Sequence, residues 1–223
     1  MAVKATGLHL SYGSTHALRG ASLCVDPGES VAIMGASGSG KTSLMGCLAG
    51  LLQPSAGRLT VLGQDLHTAS EATRRKLRLR NVGMVFQYGE LLPELTIREN
   101  VMLPLQLLGT RNKNARQRAD ELLERFDIAA VATQRPQHVS GGQAQRAAVA
   151  RALATKPPLI MADEPTGALD TAAGETVMLG LTGAAAESGA SLIVITHDHR
   201  VAAYLDKHLT MSDGSFITGA GGW

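Results

Sequence analysis

The stretch GASGSGKTS, residues 35–43, constrains the fold more than any other part of the sequence. It matches the pattern of a glycine, four residues, a second glycine, a lysine, and a serine or threonine. It follows a short apolar run, Ser30–Gly35, typical of a strand buried on both faces, and it opens a predicted helix, Thr42–Leu52. Glycines at such a turn let backbone N–H groups point inward, and the helix adds its positive end. The stretch therefore predicts a phosphate-binding turn.

Every residue of this turn is a candidate ligand of a nucleotide phosphate chain. The predicted cofactor-binding residues are Gly35, Ala36, Ser37, Gly38, Ser39, Gly40, Lys41, Thr42 and Ser43. Lys41 can reach the outer phosphates, and Thr42 offers a hydroxyl to Mg²⁺, which prefers hard oxygen ligands. A glycine-rich turn that binds nothing is the alternative, and the Lys-Thr pair in this context argues against it.

The rest of the chain alternates short strand patterns with helix patterns. Strands are predicted at residues 4–13, 17–25, 57–63, 158–163 and 191–197, helices at 97–109, 114–126, 142–154 and 171–189, and a last hairpin at 207–217. Such alternation predicts an α/β fold with a mostly parallel sheet that has helices on both faces and ligands at the carboxyl ends of its strands. We expect one domain over residues 1–223, with a core and β lobe at 1–87 and 156–223. A helical lobe is expected at 88–155.

Composition excludes several kinds of partner. The 21 lysines and arginines nearly balance 19 aspartates and glutamates, so the net charge of +2 does not favour a nucleic-acid-binding protein. The basic run RRKLRLR, residues 74–80, is interpreted as a solvated helix face. No stretch approaches the roughly 18 apolar residues of a membrane-spanning helix. We therefore expect a soluble chain that reaches a membrane only through a partner.

A second apolar strand ends in two carboxylates in the stretch LIMADEP, Leu159–Pro165. In a parallel sheet this strand can lie beside the strand that feeds the phosphate turn, which brings Asp163 toward a metal held by Thr42. Glu164 would then lie beyond the terminal phosphate, where it can orient or deprotonate an attacking water. Taken alone, the pair fits a cap of the next helix equally well. The phosphate turn favours the catalytic interpretation.

A histidine closes the next strand pattern, SLIVITH, residues 191–197. A lone histidine at a strand end is more often structural than catalytic. His197 lies, however, at the sheet edge where the phosphates are expected, which favours a role at the nucleotide.

The stretch VSGGQ, Val139–Gln143, places a serine and two glycines at the start of a helix pattern that continues to Ala154. Together with the phosphate turn, the Asp-Glu strand and the strand-end histidine, in this order, it resembles the ATP-binding cassette family. The resemblance covers essentially the entire chain. It implies a P-loop ATPase with a parallel core sheet, an N-terminal antiparallel β lobe and an inserted helical lobe.

In that family two copies face head to tail, and the signature segment of one closes over ATP held by the other. The matching residues are Ser140, Gly141, Gly142 and Gln143. Ser140 can cap the helix and bond a phosphate oxygen, while the glycines allow close backbone approach. Val139 and Ala144 depart from the commonest residues of the pattern without affecting nucleotide binding. The resemblance thus implies a homodimer.

The resemblance also implies roles for residues elsewhere. Tyr12 stacks on adenine, and Gln87 touches Mg²⁺ and water and relays the nucleotide state to the helical lobe. Asp170 belongs to the loop GALD, Gly167–Asp170, at the dimer interface, and His197 contacts the terminal phosphate. The implied catalytic residues are then Glu164, His197 and Gln87, and the implied Mg²⁺ ligands are Thr42, Gln87 and Asp163.

Two longer stretches, Phe86–Leu105 and Ala162–Asp170, resemble the ATPases of macrolide exporters, lipoprotein-releasing complexes, haem and peptide efflux permeases, and a cell-division pair. This implies a bacterial ATPase subunit on the cytoplasmic side of the membrane, driving integral membrane permease subunits through ATP. The segment ELLPEL, Glu90–Leu95, would hold the coupling helix of the permease, although plain packing of the helical lobe is the alternative.

Two other functions stay open. One is a regulatory ATPase that signals through a membrane protein to an enzyme outside the cell, without transport. The other is a soluble ATPase acting on DNA or ribosomes, but such proteins usually carry two cassettes or a long coiled-coil insertion. The cargo is not determined by this chain, and the preference among the cargoes is for a toxic small molecule such as haem.

Overall fold

The computed structural model describes residues 1–87, 90–167 and 169–217. Its strands are β1 (Val3–Tyr12), β2 (Thr15–Val25), β3 (Ser30–Met34), β4 (Ala56–Val61), β5 (Gln64–Asp65), β6 (Val82–Val85), β7 (Leu159–Asp163), β8 (Ser191–Ile195), β9 (Lys207–Ser212) and β10 (Ser215–Phe216). Its helices are α1 (Lys41–Leu48), α2 (Glu71–Asn81), α3 (Ile97–Leu107), α4 (Asn112–Arg125), α5 (Gly141–Leu153), α6 (Thr171–Ser188) and α7 (His199–Ala202). Within the described ranges, no helix is both long and apolar enough to cross a membrane. The chain forms two compact units, residues 1–78 with those from 193 onward, and residues 79–192.

The first unit contains a four-stranded antiparallel sheet in the order β2-β1-β4-β5. Val3 of β1 lies opposite Val25 of β2 and Val61 of β4. Buried and exposed residues alternate along much of β1, because one face of the strand packs on the core. This sheet is the predicted N-terminal β lobe.

The same unit contains strands in the order β10-β9-β3-β8. β3 and β9 are parallel, with Val31 opposite Lys207, and nearly every residue of β3 is buried. The backbone N–H of Thr196, just after β8, donates to the carbonyl of Ile33 near the end of β3 at 3.1 Å. Because β3 and β8 end side by side, the phosphate turn and His197 both start from this edge of the sheet.

The second unit continues from the start of β8 in the order β8-β7-β6. β6 and β7 are parallel, with Val85 opposite Ala162, and all five residues of β7 are buried. Helices α3 to α6 surround a core that includes the fully buried Phe126. A Cβ on Gly180 of α6 would overlap the ring of Phe126, so α6 packs closely there against the residue that follows α4. The strands β6 and β7 and the helices α3 to α6 are thus built from one continuous stretch of chain.

The structure confirms the predicted α/β fold with a parallel core and an antiparallel β lobe. The predicted helix Thr42–Leu52 is wrong at its end, because α1 stops at Leu48. Gly50 adopts a left-handed conformation, φ +66°, and its N–H donates to the carbonyl of Cys47 while that of Leu51 donates to Gly46. These two bonds form a Schellman motif, which terminates a helix. The boundaries predicted for the helical lobe, 88–155, stay a prediction.

Candidate functional site

The predicted phosphate turn joins β3 to α1, and two of its glycines have no room for a side chain. Gly35 has φ +152° and Gly40 has φ +99°, values that other residues rarely adopt. A Cβ on Gly35 would overlap the carbonyl oxygen of Met211, and a Cβ on Gly40 would overlap that of Ala17. The backbone path of the turn therefore requires glycine at both positions.

The ammonium group of Lys41 closes over this turn. Nζ donates to the carbonyl oxygens of Gly35 and Ala36, both at 2.8 Å, and to Oγ of Ser39 at 3.3 Å. Lys41 is buried, so its charge is held at the turn and not in solvent. Hydrogen bonds from an ammonium group to charged acceptors are stronger than those to carbonyls. A phosphate oxygen can therefore replace one of these acceptors.

The start of α1 also has features that favour an anion. Its N-cap residue is Gly40, and no described side chain caps the helix. The first N–H groups of a helix have no partner within the helix, and they carry its positive end. A phosphate bound in the turn can accept from these groups. Of the other predicted ligands, Ala36, Ser37, Gly38 and Thr42 are exposed, whereas Ser43 is half-buried.

Sequence reasoning missed a pair of backbone hydrogen bonds that support the phosphate turn. The N–H of Gly214 donates to the carbonyl of Ser39 at 3.0 Å, and the carbonyl of Gly214 accepts from the N–H of Arg19 at 2.8 Å. The tight turn between β9 and β10 thus braces the phosphate turn against β2. The dipeptide Asp213-Gly214 signals a turn in the sequence, but no local pattern indicates what that turn contacts.

Tyr12 and His197 lie in the same unit as the phosphate turn, and both are exposed. Tyr12 ends β1 opposite Thr15 and is 52% exposed, so a face of its ring is accessible for stacking. After His197, Asp198 caps α7 and accepts a hydrogen bond from the side chain of Arg200, which holds the pKa of Asp198 below its ordinary value. The cap fixes the chain direction immediately after His197.

The Asp-Glu pair lies in the second unit at the end of β7. Asp163 is buried, whereas Glu164 is half-buried and has φ +45°. A non-glycine residue in this left-handed region is uncommon, and such strain is concentrated at functional sites. The alternative that the pair caps the next helix is wrong, because Asp170 caps α6 by accepting from the N–H of Ala173 at 2.9 Å. The carboxylates of the pair are thus not used as the cap.

The signature segment, Ser140–Gln143, forms the start of α5. Oγ of Ser140 accepts from the N–H of Gln143 at 3.2 Å, and Oε1 of Gln143 accepts from the N–H of Ser140 at 2.9 Å. This capping box is the structure that a serine followed three residues later by glutamine favours. Ser140 and Gly141 are exposed. Because the cap uses the serine oxygen as an acceptor, its hydroxyl hydrogen can donate to an anion.

Gln87 is exposed and follows β6 by two residues. Its neighbours Tyr88 and Gly89 lie outside the described residues, as does Ala168 of the predicted interface loop. The side chain of Gln145 donates to the carbonyl of Phe86 at 3.3 Å. Sequence reasoning missed this contact, since a glutamine inside a helix pattern carries no local sign of its partner.

A buried asparagine, also missed, holds the segment Glu90–Leu95. Asn100 is fully buried in α3 and accepts from the N–H of Leu92 at 2.8 Å. Its amide also donates to the carbonyls of Leu92 and Leu95, at 3.0 and 3.3 Å. The segment is therefore fixed from beneath, while Leu92 itself stays 43% exposed.

The residues predicted to bind Mg²⁺ offer a hydroxyl, an amide oxygen and a carboxylate, from Thr42, Gln87 and Asp163. These are the hard oxygen donors that Mg²⁺ prefers. Across the described parts of the chain, no three histidine, cysteine, aspartate or glutamate residues form a metal-binding cluster. The donor set fits an ion that is bound through one carboxylate, with water and substrate phosphates at its other positions.

A family model described as ABC transporter matches residues 18–167. The match includes the phosphate turn, the signature segment and the Asp-Glu pair. The chain belongs to the ABC transporter family.

Among curated relatives of this ABC ATPase is the lipoprotein-releasing system ATP-binding protein LolD of Maricaulis maris. The two are 43% identical over 202 residues, 91% of this chain and 88% of the relative. The LolD protein of Porphyromonas gingivalis is 38% identical over 214 residues, 96% of this chain and 98% of the relative. The sequence-based resemblance to the branch that includes lipoprotein-releasing ATPases is confirmed.

Solved structures of the ATP-binding cassette MJ0796 have the same fold. A dimeric post-hydrolysis state bound to ADP and Pi has a TM-score of 0.91, 36% identity and coverage of 96% of each chain. A second dimeric structure of that bacterial ABC transporter cassette has a TM-score of 0.92 at the same identity. The present chain is accordingly an ATP-binding ABC ATPase.

The predicted site residues of this ABC ATPase divide between its two units. The first unit carries Tyr12, Gly35–Ser43 and His197. The second carries Gln87, Ser140–Gln143, Asp163, Glu164 and Asp170. The phosphate turn thus belongs to one unit, and the predicted base and signature segment belong to the other.

Proposed function

We propose that this ABC ATPase is the ATP-hydrolysing subunit of a lipoprotein-releasing complex on the cytoplasmic side of a bacterial membrane. The observation that carries the proposal is that relatives named for lipoprotein release match 91% and 96% of this chain. These names favour lipoprotein release over efflux of a toxic small molecule, the cargo preferred from the sequence. The lipoprotein itself is handled by the membrane partner.

In the proposed reaction, two copies close head to tail around two ATP molecules. The phosphate chain accepts hydrogen bonds from the turn Gly35–Ser43, and Lys41 moves from its carbonyl acceptors to the outer phosphates. Tyr12 stacks on the adenine, and Ser140 of the other copy donates its hydroxyl to the terminal phosphate. The glycine N-cap of α1 and the capping box of α5 support this arrangement.

Hydrolysis in this proposal needs a base, an attacking water and charge neutralisation. Glu164 orients or deprotonates the water, and His197 donates to the terminal phosphate. Thr42, Gln87 and Asp163 would hold Mg²⁺, which when bound neutralises charge that develops on the phosphate oxygens. The left-handed conformation of Glu164 supports a functional role at that position.

Replacing Glu164 by glutamine tests the base. We expect Glu164→Gln to lower kcat by roughly 100- to 10,000-fold, the usual contribution of general-base catalysis, while the variant still binds ATP. Size-exclusion chromatography with light scattering should then detect an ATP-dependent dimer. The matched control is Glu175→Gln, which removes the same charge from an exposed position of α6. Near-normal turnover of Glu164→Gln would remove Glu164 from the mechanism.

The proposed docking surface for the membrane partner is the segment Glu90–Leu95. Its exposed Leu92 can pack against an apolar side chain of a coupling helix, and Asn100 holds the backbone beneath it. Affinity capture from detergent-solubilised membranes should recover a permease with the wild-type chain and lose it with Leu92→Glu. The control Leu179→Glu changes an equally apolar residue of α6 that is 56% exposed, and it should keep the partner.

Release of a lipoprotein from vesicles that contain the captured complex and ATP tests the cargo. Capture of a permease together with ATP-dependent lipoprotein release supports the proposal. Capture without release of any lipoprotein would favour the signalling function instead, and recovery of ribosomes or DNA in place of a permease would contradict both.

A further inference from the structure

One helix, α5, is bonded to the chain on both sides of Gln87. The buried side chain of Gln145 donates through Nε2 to the carbonyl of Phe86 at 3.3 Å. Arg151, further along α5, donates through Nη1 to the carbonyl of Glu90 at 2.8 Å. At a rise of 1.5 Å per residue, these two donors start about 9 Å apart along the helix axis. Two separated bonds thus hold the carbonyls of Phe86 and Glu90 to the same helix.

The same helix also packs directly on the strand that leads to Gln87. A Cβ on Gly83 of β6 would overlap the carbonyl oxygen of Ala152 in the last turn of α5. β6, Phe86 and Glu90 are thus all held by α5, which begins at the signature segment. A displacement of the signature segment as part of this helix would therefore act on β6 and on the carbonyls of Phe86 and Glu90.

Gln145 is buried, and Arg151 is half-buried. Gln145 is 3% exposed, and burial lowers the pKa of Arg151 while the nearby Glu90 carboxylate raises it. Withdrawing such groups from water is unfavourable unless they are hydrogen-bonded. Glu90 has φ +45°, a conformation that non-glycine residues rarely adopt, and the bond from Arg151 is made to its carbonyl. The bond from Arg151 thus holds the strained backbone of Glu90, and the bond from Gln145 holds Phe86, the residue before Gln87.

Another arginine of the same unit makes similar bonds to backbone carbonyls but at a distance from Gln87 in the chain. Arg118 of α4 donates to the carbonyls of Leu153 and Ala154, at 3.3 and 3.4 Å. These bonds hold the end of α5 but do not involve the backbone near Gln87. Replacing Arg118 therefore provides a control. It removes arginine-to-carbonyl bonds at the end of α5 but leaves the bonds to Phe86 and Glu90 in place.

We propose, resting on the role proposed for Gln87 in hydrolysis, that Gln145 and Arg151 are positioning residues through which α5 sets Gln87 according to the state of the signature segment. They act on the reaction through Gln87 and do not touch the nucleotide. Losing either contact lowers the rate of the chemical step and leaves ATP binding by the phosphate turn unchanged.

A double-mutant cycle tests this coupling with the purified chain. The variants Gln145→Leu and Arg151→Met are each made in the wild-type and Gln87→Ala backgrounds, and kcat, KM for ATP and Tm are measured. We expect each to lower kcat roughly tenfold in the wild-type background, with KM within about twofold, and to have little further effect with Gln87→Ala. Arg118→Met should lower Tm to a similar extent and keep kcat. Arg151→Lys, which keeps a charged donor, should recover part of kcat.

Other outcomes overturn the coupling. Losses of kcat that are as large in the Gln87→Ala background as in the wild type would mean that the two residues act independently of Gln87. A matching kcat loss in Arg118→Met, or no recovery by Arg151→Lys, would mean that general support of α5 explains the effect. The proposed lipoprotein-releasing function fails separately, if the wild-type chain captures no permease.

Discussion

Ser140 caps α5 and is predicted to bind a phosphate oxygen, and replacing it separates the effects of the two contacts. Oγ of Ser140 caps α5 by accepting from the N–H of Gln143 at 3.2 Å, so Ser140→Ala removes one cap hydrogen bond. Loss of such a cap costs about 1 kcal/mol of stability, which lowers Tm by about 2–4 °C in a chain of this size. If the hydroxyl also donates to a phosphate, the variant loses a further bond to a charged group, worth roughly 1.5–3 kcal/mol. We then expect kcat to fall by roughly 10- to 150-fold.

Thr96 provides a matched control for the cap. It caps α3 with the same capping box, its Oγ1 accepting from the N–H of Glu99 at 3.2 Å. Thr96→Ala should therefore lower Tm about as much as Ser140→Ala, with kcat in a steady-state phosphate-release assay within about twofold of wild type. Ser140→Gly should keep most of the cap energy and still lose the rate. Equal kcat losses in Thr96→Ala and Ser140→Ala would refute a phosphate contact of Ser140.

Two further predictions concern the phosphate turn and the helix that follows it. Gly40→Ala places a Cβ against the carbonyl of Ala17. The control Gly38→Ala meets nothing within 4 Å, so it adds only left-handed strain of about 1–2 kcal/mol. Calorimetric titration should therefore find a larger loss of ATP affinity for Gly40→Ala. Equal losses would contradict the steric argument. Burial raises the pKa of Cys47 to about 11, so at pH 8 only about one thiol in a thousand is ionised. Mass spectrometry should therefore detect labelling of Cys47 by iodoacetamide only after the chain is unfolded. Rapid labelling of the folded chain would show that α1 opens readily.

Residues that act as neighbours in the chain were predictable from the sequence. The phosphate turn, the strand before it and the helix after it follow from glycines, a lysine and an apolar run at fixed spacing. The cap of α5 follows from a serine and a glutamine three residues apart. In both cases backbone geometry and hydrogen bonding act within a few residues, so the local pattern contains the information.

The residue at which α1 ends was not predictable from the local sequence pattern. Helix periodicity continues to Leu52, but Gly50 adopts a left-handed conformation and the helix stops at Leu48. An isolated glycine in an apolar pattern is compatible with both a helix interior and a helix end. Arg78 of α2 donates to the carbonyl of Gly50 at 2.7 Å, a contact that only the folded chain provides.

By itself, the sequence determined the phosphate turn, the alternation of strands and helices over much of the chain, and the residue types available for nucleotide chemistry. Only the tertiary structure decided that β9 pairs with β3, that Gly214 braces Ser39, and that Gln145 and Arg151 donate to the carbonyls of Phe86 and Glu90. Periodicity indicates which face of an element is buried but carries no record of its neighbour. Those pairings depend on how the whole core packs, which short-range spacing does not encode.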